Sequence, residues 1–600
     1  MDSIYQPISE PDEAVNVKCD MCSKIMEFFE HPLSLSHQVT LGKVGDLLQS
    51  DCPHVKWLRD LKYMYGIVPH YKTRQLRLDR EQNYRAASFG VTYLTKTSHT
   101  WSTTRPFELV FRPEISNHPG TSRILDSNWI NMDLVKEWRT RCIETHSDKC
   151  DKTIGSLTLF KPQLLIDVAR YCIVSCTEDF PRYLALSYTW GQTKSFRTTR
   201  STIEQLKAPG SLKLPHIASQ IPKTIKHAVE LTQALGEKWL WVDSLCVVQD
   251  DEVALSHELK QMHRIYASSF LTIIAKDGND ADYGLRGLYG ISEARSTEQS
   301  TVPLARNERL SFMDTDLPTP SHNISGYGNR MWTCQEQVFS KRCLTFESGY
   351  VTWQCNCANW TEHQIYHPEA DQFRYGQLHQ FRELMKPQVP ALNKLTNLIQ
   401  HFNKRNLNFD EDVFDAFSGF HTHLNGLYPS GLVFGHPELY FDISLCWYIT
   451  QYSSFRRRTP ARQNSISLLR RRLPSWSWMG WQGDSMFPFD PEFESVASFD
   501  RGFTESITQF YIIGSPDDKT RNMVDCNWSQ LRKTAADDVP IGWKRTEYKP
   551  PSHWNTDFYT TKYGPEVNPQ SMPKYLPKYL YTQVLGATSH HSYTGTRSPW

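Results

Sequence analysis

Between about residues 160 and 360, short apolar runs alternate with stretches in which apolar residues recur every three or four positions. Tyr183 to Ser187 is an apolar run of strand length, followed by turn residues. A helix is predicted to open at Ile221-Pro222, because proline suits the first turn, and to end at Gly236. The apolar positions of this helix follow helical spacing: Ile221, Ile225, Ala228, Val229, Thr232 and Leu235.

The same alternation continues after this helix. Trp239 to Val242 is predicted as the next strand, and Phe270 to Ala275 as a third. Between them a second amphipathic helix is marked by Leu255, Leu259, Met262 and Tyr266. A strand–helix–strand–helix–strand order implies a parallel sheet flanked by helices, because right-handed crossovers are the default connection. The predicted fold class is therefore α/β.

Later segments are predicted to be antiparallel or irregular. Arg342 to Glu347 and Tyr350 to Cys355, joined at Ser348-Gly349, indicate a hairpin beside that sheet. Phe402 to Phe420 is partly helical in pattern, and Leu473 to Trp478 is predicted as a tryptophan-rich strand. Residues 545–580 are rich in proline, tyrosine and lysine, with a small duplication over 573–580, and are predicted to form a linker or a wrapping arm.

The composition bounds the kind of protein. With 600 residues the chain predicts several domains, and 39% hydrophobic and 12% aromatic residues suffice for a sizeable core. Its 66 basic and 65 acidic residues give a net charge of +1, so electrostatics offer no argument for nucleic acid or an anionic membrane. The triplets Arg456–Arg458 and Arg470–Arg472 are interpreted as solvated faces.

The location is predicted to be cytoplasmic. Met1 to Val15 is polar and acidic, unlike a secretory signal, and the longest apolar runs are far short of a transmembrane segment. Fourteen cysteines without such a signal indicate reduced thiols or metal ligands, not a disulfide framework.

Cysteines and histidines near the amino terminus suggest zinc. Cys19 and Cys22 are two residues apart, and His37 lies between them and Cys52. Further along, a predicted helix carries Trp138, Cys142, His146 and Cys150 at four-residue spacing. Tetrahedral zinc prefers thiolate and imidazole ligands, so these spacings suit it. The alternative, buried free thiols with surface histidines, stays open.

Residues at the predicted carboxyl ends of the strands form the candidate ligand site, because open parallel sheets bind ligands there. The first strand is followed by Tyr188, Thr189, Trp190 and Gly191, the second by Asp243, and the third by Asp277 and Gly278. Trp332 and Glu336, four residues apart, share one face of a predicted helix. An indole beside a carboxylate can stack a base and stabilise positive charge as a glycosidic bond breaks.

Each of these residues also has a structural interpretation. Trp332 suits a core anchor, Glu336 suits the helix dipole, and Asp243 suits a turn cap. Cys246 and Cys334 lie in apolar contexts typical of inert thiols, which leaves little for His257 or His263 to activate. The sequence contains no phosphate-loop motif, no Gly-x-Ser-x-Gly elbow and no His-Glu-x-x-His helix.

Three segments in fixed order carry a family resemblance. They are Tyr183–Gly191, Trp239–Asp251 and Arg330–Glu336. Together they resemble the three blocks of the fungal heterokaryon-incompatibility (HET) domain family. The resemblance suggests a Cys/His-rich region over 1–155, a HET domain over 160–360, and a C-terminal α+β region with a Pro/Tyr-rich tail over 361–600.

The resemblance implies a role in fungal self/non-self recognition, as an effector of regulated cell death working through protein partners or self-association. The family is also distantly similar to Toll/interleukin-1 receptor (TIR) domains, some of which cleave NAD with a helix-borne glutamate. The matching positions here are Trp332, Cys334 and Glu336. The resemblance therefore implies a TIR-like parallel sheet flanked by helices. Two functions remain as alternatives to the effector role: an NAD glycohydrolase with catalytic Glu336, in which Trp332 and Trp190 shape the pocket, and a non-catalytic protein-interaction scaffold.

Overall fold

The computed structural model describes most of residues 107–367 and, with gaps, 381–487. Inside 107–367 the undescribed residues are 155–156, 178, 180, 192–195 and 313–325. Parts of 20–102 and short strands after 510 are also described. Residues 470–472 and 573–578 lie outside the described part.

An eight-stranded mixed sheet forms the centre of the described fold. Its strands are β6 (Leu164–Asp167), β7 (Cys172–Ser175), β8 (Tyr183–Tyr188), β9 (Trp239–Trp241), β10 (Leu271–Ala275), β13 (Arg342–Glu347), β14 (Tyr350–Cys355) and β15 (Asn359–Thr361). The spatial order is β15-β14-β13-β10-β8-β9-β6-β7. The central four strands, β13, β10, β8 and β9, are parallel, as the strand–helix alternation predicts.

Both edges of this sheet are antiparallel: the hairpin at one edge was predicted, and the hairpin at the other edge was not. The β13–β14 hairpin turns at Ser348-Gly349, as predicted, and β15 pairs with β14. On the other edge β6 and β7 form a second hairpin that pairs with β9. Such edges arise because short turns return the chain directly, with no room for a crossover helix.

Two long helices make the crossovers of the sheet. The α-helices described up to residue 268 are, in chain order, α1 (Asp20–Glu30), α2 (Met132–Arg141), α3 (Ser147–Asp151), α4 (Ile203–Leu206), α5 (Pro215–Ala218), α6 (Lys223–Ala234), α7 (Asp243–Cys246) and α8 (Glu252–Ser268). α6 leads from β8 to β9 and ends before Gly236, as predicted. α8 leads back across β8 to β10, so right-handed connections place α6 and α8 on opposite faces.

A second hydrophobic core lies against α8, built from the carboxyl-terminal part of the chain. Its helices are α9 (Trp332–Phe339), α10 (Leu392–Asn403), α11 (Val413–Leu427) and α12 (Phe441–Ser444). α9, α11 and α8 pack against one another, and α9 contributes Cys334, Val338 and Phe339 to this core. α9 therefore lies between the central sheet and the second core, and most of its side chains are buried.

A third core joins the amino-terminal part to a later insertion. It is formed by α1 with β1 (His37–Lys43), β2 (Gln75–Arg80), β5 (Phe107–Leu109), β11 (Thr301–Leu304) and β12 (Glu308–Phe312). β3 (Ser88–Thr92) and β4 (Thr100–Ser102) extend the β1–β2 sheet. Short pairs complete the later part: β16 (Leu432–Val433) with β17 (His436–Pro437), β18 (Tyr448–Ile449) with β21 (Ser485–Met486), β19 (Arg456–Arg457) with β20 (Trp481–Gln482), β22 (Tyr511–Ile513) with β23 (Arg521–Met523), and β24 (Trp543–Glu547) with β25 (Tyr579–Gln583).

Two predictions for the later part are wrong. Leu473 to Trp478 is not a strand, because Ser477 caps a 3-10 turn at Trp478–Gly480 by accepting from the Met479 N–H. Arg458 is not solvated but buried, since its guanidinium bonds to the Asn403 side chain at 2.9 Å and lies 3.7 Å from Asp410. Within the described residues, no helix is long and apolar enough to cross a bilayer.

Candidate functional site

The carboxyl end of β8 lies at the centre of the candidate site. β8 runs between β9 and β10, at the point where the strand order reverses, which is where open α/β sheets bind ligands. Ser187 and Tyr188 end this strand, and Asp243 follows β9 as the first residue of α7. Glu336 comes from α9, which packs beside β8.

Glu336 is held in a buried hydrogen-bonded group. The Ser187 hydroxyl donates to its carboxylate, and that hydroxyl also lies 2.7 Å from the Tyr327 hydroxyl. Only 4% of Glu336 is exposed. Burial raises its pKa to about 7, against the opposing charge of Arg330 and the Ser187 hydrogen bond. Glu336 therefore exchanges a proton near neutral pH.

Arg330 connects the three chain segments of the site. Its guanidinium donates to the Tyr188 carbonyl, and its charge opposes the burial that raises the pKa of both Glu336 and Asp243. The Thr333 hydroxyl donates to the Arg330 carbonyl at 2.8 Å and in turn accepts from Arg405 at 3.1 Å. Arg330 is therefore a positioned cation facing two carboxyl groups.

The second carboxyl group, Asp243, lies closer to the surface. The Trp190 indole N–H donates to its Oδ2 at 2.8 Å, and the Tyr188 hydroxyl donates to neighbouring Ser244 at 3.1 Å. Both Trp190 and Asp243 are partly exposed, and the Arg197 guanidinium lies 4.9 Å from the Trp190 ring centroid. The open side of the site thus presents an indole, a carboxylate and a guanidinium.

Gly191 is required for the backbone path of this loop. Its φ is +67°, and an added Cβ would lie 2.3 Å from the Cβ of Asp280. A side chain at this position would therefore collide with the loop after β10. Its place in the site is that of a turn residue.

Four of the residues predicted for the site are linked to one another. Tyr188, Trp190, Asp243 and Glu336 are joined through Ser187, Ser244 and Arg330. Trp332 packs against both the sheet core and the second core, as its anchoring interpretation expects. Asp277 instead holds the β13–β14 turn, because its carboxylate accepts from Ser348 N–H at 2.5 Å and Gly349 N–H at 3.0 Å.

Sequence reasoning missed several polar partners. Ser187, Arg330 and Tyr327 lie in or beside the recognised segments but were not singled out, and only their contacts identify them. Their common signal is a polar residue at the end of an apolar strand or just before a helix. Cys246 and Cys334 are buried thiols whose pKa burial raises, which fits their inert interpretation.

A group that could hold a metal lies elsewhere. One donor atom from each of Cys142, His146, Cys150 and Cys355 lies within 4.8 Å of the others. The sequence spacing indicated the first three residues as possible zinc ligands, whereas Cys355 was predicted only as the end of a hairpin strand. Of the amino-terminal zinc set, Cys22 is buried on α1 and His37 lies on β1, whereas Cys19 and Cys52 lie outside the described residues, so that set stays a prediction.

Comparison with known proteins bears on the central sheet. Residues 183–336 match the family model "Heterokaryon incompatibility protein (HET)", from the first residue of β8 to Glu336. The chain is also 31% identical over 97 residues to "Heterokaryon incompatibility protein 6, OR allele" of Neurospora crassa, a stretch covering 16% of this chain and 14% of that relative. No solved structure matches significantly. Residues 183–336 are thus similar to the HET domain family, and the chain spans only a small part of the length of the relative it matches.

Proposed function

We propose that this chain is an effector of heterokaryon incompatibility, which triggers regulated cell death when unlike fungal cells fuse. The observation that carries the proposal is the match of residues 183–336 to the HET family. The relative named for heterokaryon incompatibility adds support. The effector acts in the cytoplasm through protein partners or self-association.

The burial of Glu336 supports an effector without chemistry. Its carboxylate is 4% exposed and is held by Ser187, so it fastens α9 to β8 and joins the first and last segments of the HET domain. A buried carboxylate with its donors in place is well suited to specify one packing arrangement. On this proposal the signal is the shape of the domain surface, and Glu336 maintains that shape.

A pairing experiment tests the incompatibility role. The gene is deleted from the source strain, and the deletion strain is paired with strains that the parent rejects. We expect at least one rejected pairing to become stable after deletion, and to be rejected again when the full chain is restored. Rejection of every partner regardless of the deletion would contradict the proposal.

A TIR-like NAD glycohydrolase is the second candidate, and one feature favours it. A carboxyl group with a pKa of about 7, that of Glu336, lies at the carboxyl edge of parallel strands near the Arg330 charge and near Asp243, which accepts from the Trp190 indole. On this candidate Glu336 stabilises the positive charge that develops on the ribose, and the exposed guanidinium of Arg197 meets a phosphate. α9 has to shift for a substrate to reach Glu336.

Purified full-length protein separates the two candidates. It is incubated with NAD, and released nicotinamide is measured for the wild type and for Glu336→Gln, which keeps the shape of the side chain and accepts from Ser187. The effector proposal expects no release by either protein. Release by the wild type that is lost in Glu336→Gln would establish the enzyme instead.

A further inference from the structure

The geometry points to a structural zinc ion bound by Cys142, His146, Cys150 and Cys355, which ties the segment before the HET domain to the β13–β14 hairpin. These side chains come from two distant parts of the chain, since Cys355 lies 209 residues beyond His146 in sequence. No other group of three or more metal-binding side chains occurs among the described residues.

The backbone between Cys142 and Cys150 is irregular in a way that brings these cysteines together. In a regular α-helix, residues eight apart are separated by about 12 Å along the axis. Here α2 ends at Arg141, a π-helical turn spans Cys142–His146, and Ser147 adopts φ +28° and ψ −116°. This break returns Cys150 to within 4.8 Å of the Cys142 and His146 donors.

Such a break has a cost that a ligand would offset. A non-glycine residue at positive φ is disfavoured by about 1–3 kcal/mol, and π-turns of this kind occur frequently at functional sites. Ser147 lacks the conformational freedom of glycine, so its surroundings must hold this backbone conformation. Coordination of Cys142 and Cys150 by one ion explains why the chain departs from a straight helix here.

The fourth donor comes from the hairpin and is held in place by the backbone. Cys355 ends β14 opposite Arg342 of β13, and its sulfur accepts from the Ala358 N–H at 3.2 Å. The His146 Nδ1 lies 3.5 Å from the Cys355 sulfur, and its ring stacks on Trp360 with centroids 5.5 Å apart. N–H donors to sulfur and packing around imidazole are typical supports of metal ligands.

The charge around the cluster also suits a metal–thiolate centre. Zinc with three thiolates and one neutral imidazole carries one negative charge. The Arg342 side chain is fully buried, and its Nε lies 3.3 Å from the Cys142 sulfur. A guanidinium inside the protein needs compensating negative charge: Asp151 supplies one carboxylate at 2.6 Å from the terminal nitrogen, and a zinc-bound thiolate at Cys142 would supply a second negative charge beside Nε.

The donor set identifies the metal. Three sulfurs and one imidazole nitrogen favour zinc in tetrahedral geometry, and four protein ligands leave no position for substrate. The ion would therefore be structural: it fastens α3 to the hairpin that follows α9. Cys357, two residues beyond Cys355, lies outside the set of four.

Metal analysis of the purified full-length chain tests this assignment. Wild type is expected to contain one equivalent of zinc, and Cys150→Ser and Cys355→Ser to lose it. Cys172→Ser is the control: it removes another buried thiol that is not part of the group and should retain the zinc. Folded wild type without zinc, or equal zinc loss from Cys172→Ser, would overturn the assignment.

A second measurement needs no variant and so does not depend on variants that fold. The native wild type is alkylated before and after treatment with a zinc chelator, and each cysteine is quantified by mass spectrometry. Cys142, Cys150 and Cys355 should become reactive only after chelation, while Cys246 stays unreactive throughout. Equal modification with and without chelator, or a disulfide between two of the three, would overturn the zinc site.

Discussion

The hydroxyl of Ser187 donates a hydrogen bond to the carboxylate of Glu336, across 149 residues of sequence. This bond joins the end of β8 to the middle of α9, and both residues are buried. It therefore connects the first and third segments that identify the HET domain. Arg330 reinforces the same joint through the Tyr188 carbonyl.

Arg330→Gln should destabilise the domain, because it removes the cation that faces Glu336 and Asp243. We expect a loss of about 2 kcal/mol in the free energy of unfolding, since breaking a partly buried charge contact leaves its partners uncompensated. Urea unfolding measures this loss. Arg286→Gln, an exposed arginine that stacks on Tyr283, is the control and should change stability by less than about 0.5 kcal/mol.

The loss should also depend on pH. Without Arg330 the pKa of Glu336 in the folded state rises further. The folded state then keeps its proton to a higher pH than the unfolded state does, so the free energy of unfolding falls as pH rises. The stability difference between wild type and Arg330→Gln should therefore widen as pH increases through about 7. A difference that stays constant with pH would argue against an electrostatic role for Arg330.

Gly191→Ala should unfold the loop after β8, because the added Cβ meets the backbone and side chain of Asp280 at 2.3–2.8 Å. We expect a loss of about 3 kcal/mol, from the clash together with positive φ. Gly210→Ala is a matched control: its φ is +79°, but an added Cβ meets nothing within 4 Å. It should cost only about 1 kcal/mol, and equal losses in the two variants would show that the close approach has no effect.

Substitution of the buried Glu258 carboxyl group is expected to increase the stability of the protein. It is 5% exposed, and neither carboxylate oxygen accepts a hydrogen bond from the described residues, although His257 Nδ1 lies 4.0 Å away. Burial raises its pKa from 4.5 to about 7. The stability that its protonated form contributes is fully present below pH 4.5 and is lost as pH rises through 7.

Glu258→Gln should therefore match wild type in acid and exceed it by about 2 kcal/mol near pH 8. Thermal or urea unfolding at the two pH values measures the difference. Glu252→Gln, an exposed position on the same helix, controls for the loss of a helix charge. Equal effects of the two substitutions at high pH would contradict the burial argument.

The pattern of apolar residues was enough to predict the central strands and crossover helices, because strands such as β8 and β10 are buried along their whole length and the helices bury one face. β8, β9, β10 and both strands of the β13–β14 hairpin appear within two residues of their predicted bounds. The β6–β7 hairpin at one edge was not predicted, since short edge strands have weak patterns. The prediction of a strand over Leu473 to Trp478 was wrong because the chain turns here, and the Trp478 indole N–H donates to the Gly435 carbonyl.

The candidate sites, like the fold, could be predicted from the sequence only in part. Residues at strand ends, such as Trp190 and Asp243, could be predicted because parallel topology gathers those ends at one edge. The contact between Cys355 and Cys150 could not, because it depends on a hairpin folding back onto a broken helix. Arg458 was wrongly predicted to be solvated, because the sequence alone does not show that the side-chain oxygen of Asn403 accepts a hydrogen bond from its guanidinium.

The proposal that the chain is a death effector without chemistry is tested most directly by viability after induced expression of the full chain in a fungal host, with cellular NAD measured before cells die. The account predicts death with wild type and with Glu336→Gln, survival with Gly191→Ala, and unchanged NAD in all three. Continued growth of cells that contain soluble wild type would contradict the effector role. NAD loss and death confined to wild type, with Glu336→Gln soluble and harmless, would contradict the absence of chemistry.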